Sequence, residues 1–255
     1  MLYYRKIVLY SMVCSIGIKK NIEMFRKILV FLHFVGIIYT ITMKYNNYIF
    51  DLDGTLLNSI DDLAASCNYA LSTNGMPVYS VKQILGFVGN GVRKLMERTV
   101  PHGTYNPLFE QVFKCFQEHY LVHNEDNTKP YPGILEMLGQ LKAQHKGVAV
   151  VSNKFDQATK SLVNKYFGDL VQVAIGERRG INKKPSPDMV LEAMVQLGCT
   201  AKDTVYVGDS DVDIETAKNS SLPCLTVLWG FRDRSFLLEH GASILLSDPM
   251  DILKL

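Results

Sequence analysis

Tyr48-Ile49-Phe50-Asp51-Leu52-Asp53-Gly54-Thr55-Leu56-Leu57-Asn58-Ser59 is the stretch on which the reading of the whole chain turns. An apolar run of strand character ends in two aspartates separated by one leucine, and Asp-Gly then breaks the strand into a turn. In an open parallel α/β sheet, ligands bind in the crevice outside the carboxyl ends of the strands. Two carboxylates placed there offer a nucleophile, a proton carrier and a seat for a cation. An ordinary strand-to-turn junction is spelled the same way, so the meaning of the pair depends on what the other strand ends carry.

Working outward, the chain from Lys44 onward alternates short apolar runs with helical stretches, the signature of a Rossmann-like parallel sheet with helices on both faces. The pattern predicts strands at 48–51, 147–152, 171–175, 204–208 and 224–228, and a short last one at 243–246. Helical spacing of apolar residues falls at 134–144, 156–166, 187–197 and 211–219. The stretch 59–131 breaks the alternation: 63–72, 81–87, 91–99 and 108–123 read as helices, with no convincing strand between them. We therefore expect an α/β core, residues 43–58 and 132–255, carrying an inserted α-helical cap, residues 59–131. The segments 57–59 and 128–133 are the expected linkers.

Composition narrows the function classes. In 255 residues, 47% are hydrophobic and the net charge is +2, which excludes a disordered chain. The charge is uneven. Residues 1–42 hold six basic residues and one acid, Glu23, leaving 21 basic and 24 acidic residues in the body. A mildly acidic body gives no case for nucleic-acid binding. Five scattered cysteines fit reduced thiols in a cytoplasmic protein rather than a zinc site or disulfide framework. His119 and His123 stand four apart without an HExxH pattern, and are read as a surface pair on a cap helix.

Residues 28–41 form an apolar run after Arg26 and Lys27, shorter than the ~20 residues that a membrane-spanning helix needs. No small-x-small cleavage site follows it. We read residues 1–42 as an upstream extension outside the working protein, with Met43 just ahead of the first strand. The alternative is an amino-terminal membrane anchor. A peptide from residues 5–40 in the mature protein would exclude the first reading.

The other strand ends decide the meaning of the aspartates. The second ends in Ser152-Asn153-Lys154, a hydroxyl and an amide able to donate hydrogen bonds. Asn182-Lys183-Lys184-Pro185 precedes a later helix and offers a fixed cation. The fourth strand ends in Gly208-Asp209-Ser210-Asp211-Val212-Asp213, with three acids within five residues. Each fragment alone has a plain structural use as a cap, a solvated lysine or acids at a helix start. Gathered at one sheet edge in this order, they supply what phosphoryl transfer requires: an attacking group, positive charge for the phosphoryl oxygens and carboxylates for Mg²⁺.

With these motifs in view, the chain resembles the haloacid dehalogenase superfamily, and within it the phosphoglycolate-phosphatase-like hydrolases with a helical cap. Asp-x-Asp-Gly-Thr at 51–55 and Gly-Asp-Ser-x-x-Asp at 208–213 carry the resemblance most specifically. It implies a Mg²⁺-dependent phosphatase acting on a small phosphorylated metabolite, with 2-phosphoglycolate the favoured substrate. By the resemblance Asp51 is the nucleophile that forms an aspartyl-phosphate, and Asp53 the acid and then the base. Thr55 and Ser152 are placed with the phosphoryl group, with Asn153 beside it. Lys184 balances charge between phosphate and Asp51, its neighbour Lys183 being the alternative. Mg²⁺ falls to Asp51, the main-chain carbonyl of Asp53 and Asp209, with Asp213 supporting it directly or through water.

In the expected cap, Gly86-Phe87-Val88-Gly89-Asn90-Gly91-Val92-Arg93 resembles the loop that closes over substrate in this family. Gly91 is a backbone donor and Arg93 a fork for a substrate carboxylate. A glycine turn between two helices is the plain alternative. Asp53 argues against the dehalogenases and phosphonatases of the superfamily. A β-phosphoglucomutase-like enzyme or a pyrophosphatase is the nearest competing activity, and a non-catalytic binding protein on the same scaffold is a third reading. A monomer or homodimer is expected.

Overall fold

The computed structural model describes residues 45–255. The expectations for residues 1–42 and Cys14 lie outside the described residues. In chain order the strands are β1 (Asn47–Phe50), β2 (Leu57–Asn58), β3 (Lys129–Pro130), β4 (Gly147–Phe155), β5 (Val173–Glu177), β6 (Thr204–Gly208), β7 (Cys224–Val227) and β8 (Leu245–Leu246). The α-helices are α1 (Ile60–Thr73), α2 (Val81–Phe87), α3 (Val92–Thr99), α4 (Phe109–His123), α5 (Ile134–Ala143), α6 (Asp156–Tyr166), α7 (Asp188–Leu197), α8 (Asp211–Asn219) and α9 (Arg234–Glu239).

Six strands form a parallel sheet in the order β5-β4-β1-β6-β7-β8. All four residues of β1 are buried, so both faces of the sheet must be covered. Alternation along the strand does this. Tyr48 and Phe50 join Val148, Val150, Val205 and Val207 on one face, beneath Met137 and Leu138 of α5 and Leu162 of α6. Ile49 joins Ala149, Val151 and Tyr206 on the other, beneath Met189, Val190 and Ala193 of α7 and Ala217 of α8.

Register places the chemistry. Phe50 is level with Val150 on one side and Val207 on the other. Just beyond this level the chains carry Asp51, Ser152 and Asp209 at one sheet edge. The strand order also reverses about β1, since β4 and β6 flank it. This is the switch point at which such sheets open a crevice.

Helices α1–α4 own a separate apolar cluster, built on Leu63, Cys67, Leu71, Ile84, Leu95, Met96, Val112, Phe116 and Tyr120. The two expected linkers pair with each other: Leu57 lies opposite Pro130 and Asn58 opposite Lys129 in a two-stranded antiparallel ribbon. Two-residue strands carry too little periodicity to be seen in sequence. Asp62 at the start of α1 fastens this root by accepting hydrogen bonds from the backbone N–H groups of Asn127 and Thr128 and from both their side chains. Helix α9 was also not anticipated. Its six residues span less than two turns, and Asp233 caps it by accepting from the Phe236 N–H. Among the described residues, no helix is long and apolar enough to cross a membrane.

Candidate active site

The strand-end turn after β1 is tight because it must pass Asp209. Gly54 has φ +92°, and a Cβ there would lie 2.4 Å from Asp209 Oδ2, so glycine is required on both counts. Asp51 and Asp53 leave this turn in different company. Asp51 is buried and meets Lys184 Nζ at 2.7 Å. Asp53 is partly exposed, accepts the Ser59 hydroxyl at 2.6 Å, and meets Lys154 Nζ at 3.1 Å.

Lys184, not Lys183, reaches the carboxylates. Its ammonium also donates to Asp213 Oδ1 at 2.8 Å and to the Tyr206 hydroxyl at 3.2 Å. Burial works against the charge on Lys184, but Asp213 and Asp51 outweigh it and raise its pKa. Lys183 instead lies 3.9 Å from Glu177. Helix α8 begins at Ser210, whose hydroxyl accepts from the Asp213 N–H while the Asp213 carboxylate accepts from the Ser210 N–H, a reciprocal capping box.

One oxygen from each of Asp51, Asp209 and Asp213 can lie within 4.8 Å of the others, the one such group among the described residues. All three are buried, with a single ammonium touching two of them. Burial, and then the neighbouring acids, pushes Asp51 well above the ordinary carboxylate range, with Lys184 pulling the other way. Burial and Asp213 push Asp209 up to about 7. A set of hard oxygen donors short of positive charge suits a divalent cation such as Mg²⁺. Asp213 contributes mainly as a support, since both its oxygens already accept hydrogen bonds, from Lys184, Tyr206 and Ser210.

A cavity opens over this cluster, lined by Asp51, Asp53, Ser152, Lys184 and Asp209 from the core and by 88–92 from the helical insert, Gly91 among them. Two sequence expectations need correction. Arg93 does not line the cavity; its guanidinium is paired with Glu110 and lies over Phe109 and Phe113, because its position on α3 turns it to that helix's other side. Thr55 is fully buried and donates its hydroxyl to Asp209 at 3.0 Å, so it steadies an acid rather than facing the cavity. Asn153 lines the cavity, and its side chain clamps the backbone of Lys184 through both its oxygen and its amide, at 2.8 and 2.9 Å. The stacked pair His119 and His123 engages Ser66 and Asp126, away from the acids.

Several residues at the site carried no role in the sequence reading. Lys154, buried and paired with Asp53, also donates to the Tyr120 hydroxyl of α4. Burial opposes the Lys154 charge, and Asp53 and Tyr120 more than restore it. The loop after β7 supplies Trp229, whose indole N–H bonds the Thr55 carbonyl, Phe231, whose N–H bonds Asp209 at 2.7 Å, and Arg232 at the cavity wall. The available signal was position: each follows the carboxyl end of a strand already read from the pattern.

Comparison with known proteins agrees with this arrangement. Residues 48–227 match the family model described as haloacid dehalogenase-like hydrolase. Phosphoglycolate phosphatase of Aquifex aeolicus is 34% identical over 209 residues, covering 81% of this chain and 94% of that protein. Its counterpart in Salmonella paratyphi A is 32% identical over 225 residues, covering 78% and 85%. A crystal structure from Lactobacillus delbrueckii subsp. bulgaricus, provisionally named a phosphoglycolate phosphatase, superposes with a TM-score of 0.80 at 34% identity and covers 83% of this chain and 98% of that one.

Proposed function

The chain belongs to the haloacid dehalogenase-like hydrolases and acts as a phosphoric monoester hydrolase; we propose that it hydrolyses 2-phosphoglycolate, with Mg²⁺, through a phosphorylated Asp51. Residues 59–131 act in this reading as a cap over the core formed by 43–58 and 132–255. The observation that carries it is the contrast between the two aspartates. Asp51 sits with a lysine and two further acids, whereas Asp53 meets a hydroxyl and a different lysine.

In the first half-reaction a carboxylate oxygen of Asp51 attacks phosphorus. The ester P–O bond breaks, and its electron pair leaves with the alcohol oxygen, which takes the proton carried by Asp53. In the second, water attacks phosphorus and gives a proton to Asp53. The bond from phosphorus to Asp51 breaks, releasing inorganic phosphate and restoring the carboxylate. Lys184 neutralises charge on the transferring group, and Ser152 offers its hydroxyl to a phosphoryl oxygen. Asp51, Asp209 and the Asp53 carbonyl, backed by Asp213, would hold Mg²⁺, which when bound supplies positive charge against the phosphoryl oxygens. The insert above the cavity excludes bulk water and large substrates.

Phosphate release from 2-phosphoglycolate, glucose phosphates and pyrophosphate tests the reading. It expects 2-phosphoglycolate to lead and Asp51→Asn to abolish turnover while the protein stays folded. Faster turnover of a sugar phosphate or of pyrophosphate would reassign the substrate.

A further inference from the structure

The geometry points to Arg232 as the residue that binds the carboxylate of the substrate's leaving group, coupling its recognition to the position of the segment 85–91, the end of α2 and the loop after it. This rests on the phosphatase reading above and adds a specificity determinant to it. Three cationic side chains line the cavity among the described residues: Lys154, Lys184 and Arg232. An ammonium has three donors, and those of Lys184 meet Asp51, Asp213 and Tyr206. Lys154 meets Asp53 and Tyr120. Both lysines are therefore engaged with the protein's own oxygens.

Arg232 is only partly so engaged. Of its five N–H donors, one on Nη1 meets the Leu85 carbonyl at 3.2 Å and one on Nη2 meets the Val88 carbonyl. Its Nε is buried without a hydrogen-bond partner, since Asp211, the acid it pairs with, stands at 3.8 Å, beyond hydrogen-bonding reach. A buried donor left unpaired marks a place where an acceptor belongs. The ring of Phe236 lies 5.1 Å from the guanidinium and fixes its plane. The preceding residue, Phe231, binds Asp209 through its N–H, so the acid cluster and the guanidinium are joined by one peptide link.

The insert's loop is shaped to meet this side chain. Gly89 has φ +125°, and a Cβ there would come within 3.1 Å of Arg232 Nη2. From the other side Arg98 donates to the Phe87 and Gly89 carbonyls at 2.7 and 3.0 Å. The loop is thus gripped between two arginines, only one of which faces the cavity.

The test compares 2-phosphoglycolate with ethyl phosphate, a two-carbon ester without the carboxylate, in the parent and in Arg232→Gln. The parent is expected to prefer 2-phosphoglycolate in kcat/KM by about 10- to 100-fold, and the variant to bring that ratio toward one. Losing the grip on the loop alone would lower both substrates equally, so an unchanged ratio overturns the assignment. A parent that turns over both esters equally well overturns it without any variant, leaving the phosphatase reading intact. Absence of phosphate release from every ester would instead sink the reading on which it rests.

Discussion

Replacing Lys184 by methionine is expected to destabilise the metal-free protein by about 3–5 kcal/mol at pH 8. The magnitude follows from two contacts. Lys184 Nζ lies 2.7 Å from Asp51 and 2.8 Å from Asp213, with its side chain 3% exposed. At an effective dielectric near 20, each such pair is worth roughly 6 kcal/mol of attraction. Desolvating the three charges offsets most of this, so the net loss is that of breaking a buried pair rather than the full Coulomb energy. The sign of the pH dependence also follows. Burial already raises Asp51, and loss of Lys184 removes the largest influence opposing it. A carboxylate with a raised folded-state pKa holds its proton in the folded protein after the unfolded chain has released it. Stability therefore falls as pH rises from the unfolded value to the folded one, by about 1.4 kcal/mol per unit for each such group. Urea unfolding in EDTA from pH 5 to pH 8 should show the variant regaining stability toward acid more steeply than the parent. A loss below about 1 kcal/mol at pH 8, or equal slopes in the two proteins, would refute the charge balance assigned to the site.

Mg²⁺ affinity should rise with pH up to about 7, where Asp209 gives up its proton, by close to tenfold per unit below that point; calorimetric titration showing no pH dependence would remove Asp209 from the ligand set. Asp62→Ala should cost about 2–4 kcal/mol, because it strands the donors of Asn127 and Thr128 at the root of the helical insert. The parent's own acid sensitivity carries the same signature. Burial opposes the Asp62 charge, yet the hydrogen bonds lower its pKa on balance, so its contribution is complete above the unfolded value and is lost as pH falls through the lower folded one. Tyr120→Phe removes the acceptor that the Lys154 ammonium meets on α4 and should cost about 1–2 kcal/mol by thermal unfolding, with an unchanged Tm arguing against that contact.

The sheet was legible because its strands are buried on both faces and read as continuous apolar runs. The segment 204–208 was placed to the residue, and β1 and β7 within one. Register then had to bring Asp51, Ser152 and Asp209 together, since parallel neighbours leave a sheet in step. Less visible was what depends on side-chain direction. Arg93 and Gly91 stand two apart in one motif, yet α3 begins between them and turns each successive residue by about 100°, so Arg93 swings to Glu110 while Gly91 stays on the cavity wall. Thr55 is a polar residue in the right motif whose hydroxyl satisfies a buried partner instead. Arg232 lies in a loop with no periodicity, and only the fold shows that it returns to the end of α2 and the loop after it from more than 140 residues away.

The central claim is that Asp51 takes the phosphoryl group. Rapid acid quench of the protein turning over 2-phosphoglycolate with Mg²⁺, followed by peptide mass spectrometry, tests it directly. The account predicts a phosphoryl group on Asp51, in the peptide spanning 48–59. A phosphoryl group carried by any other residue would contradict it.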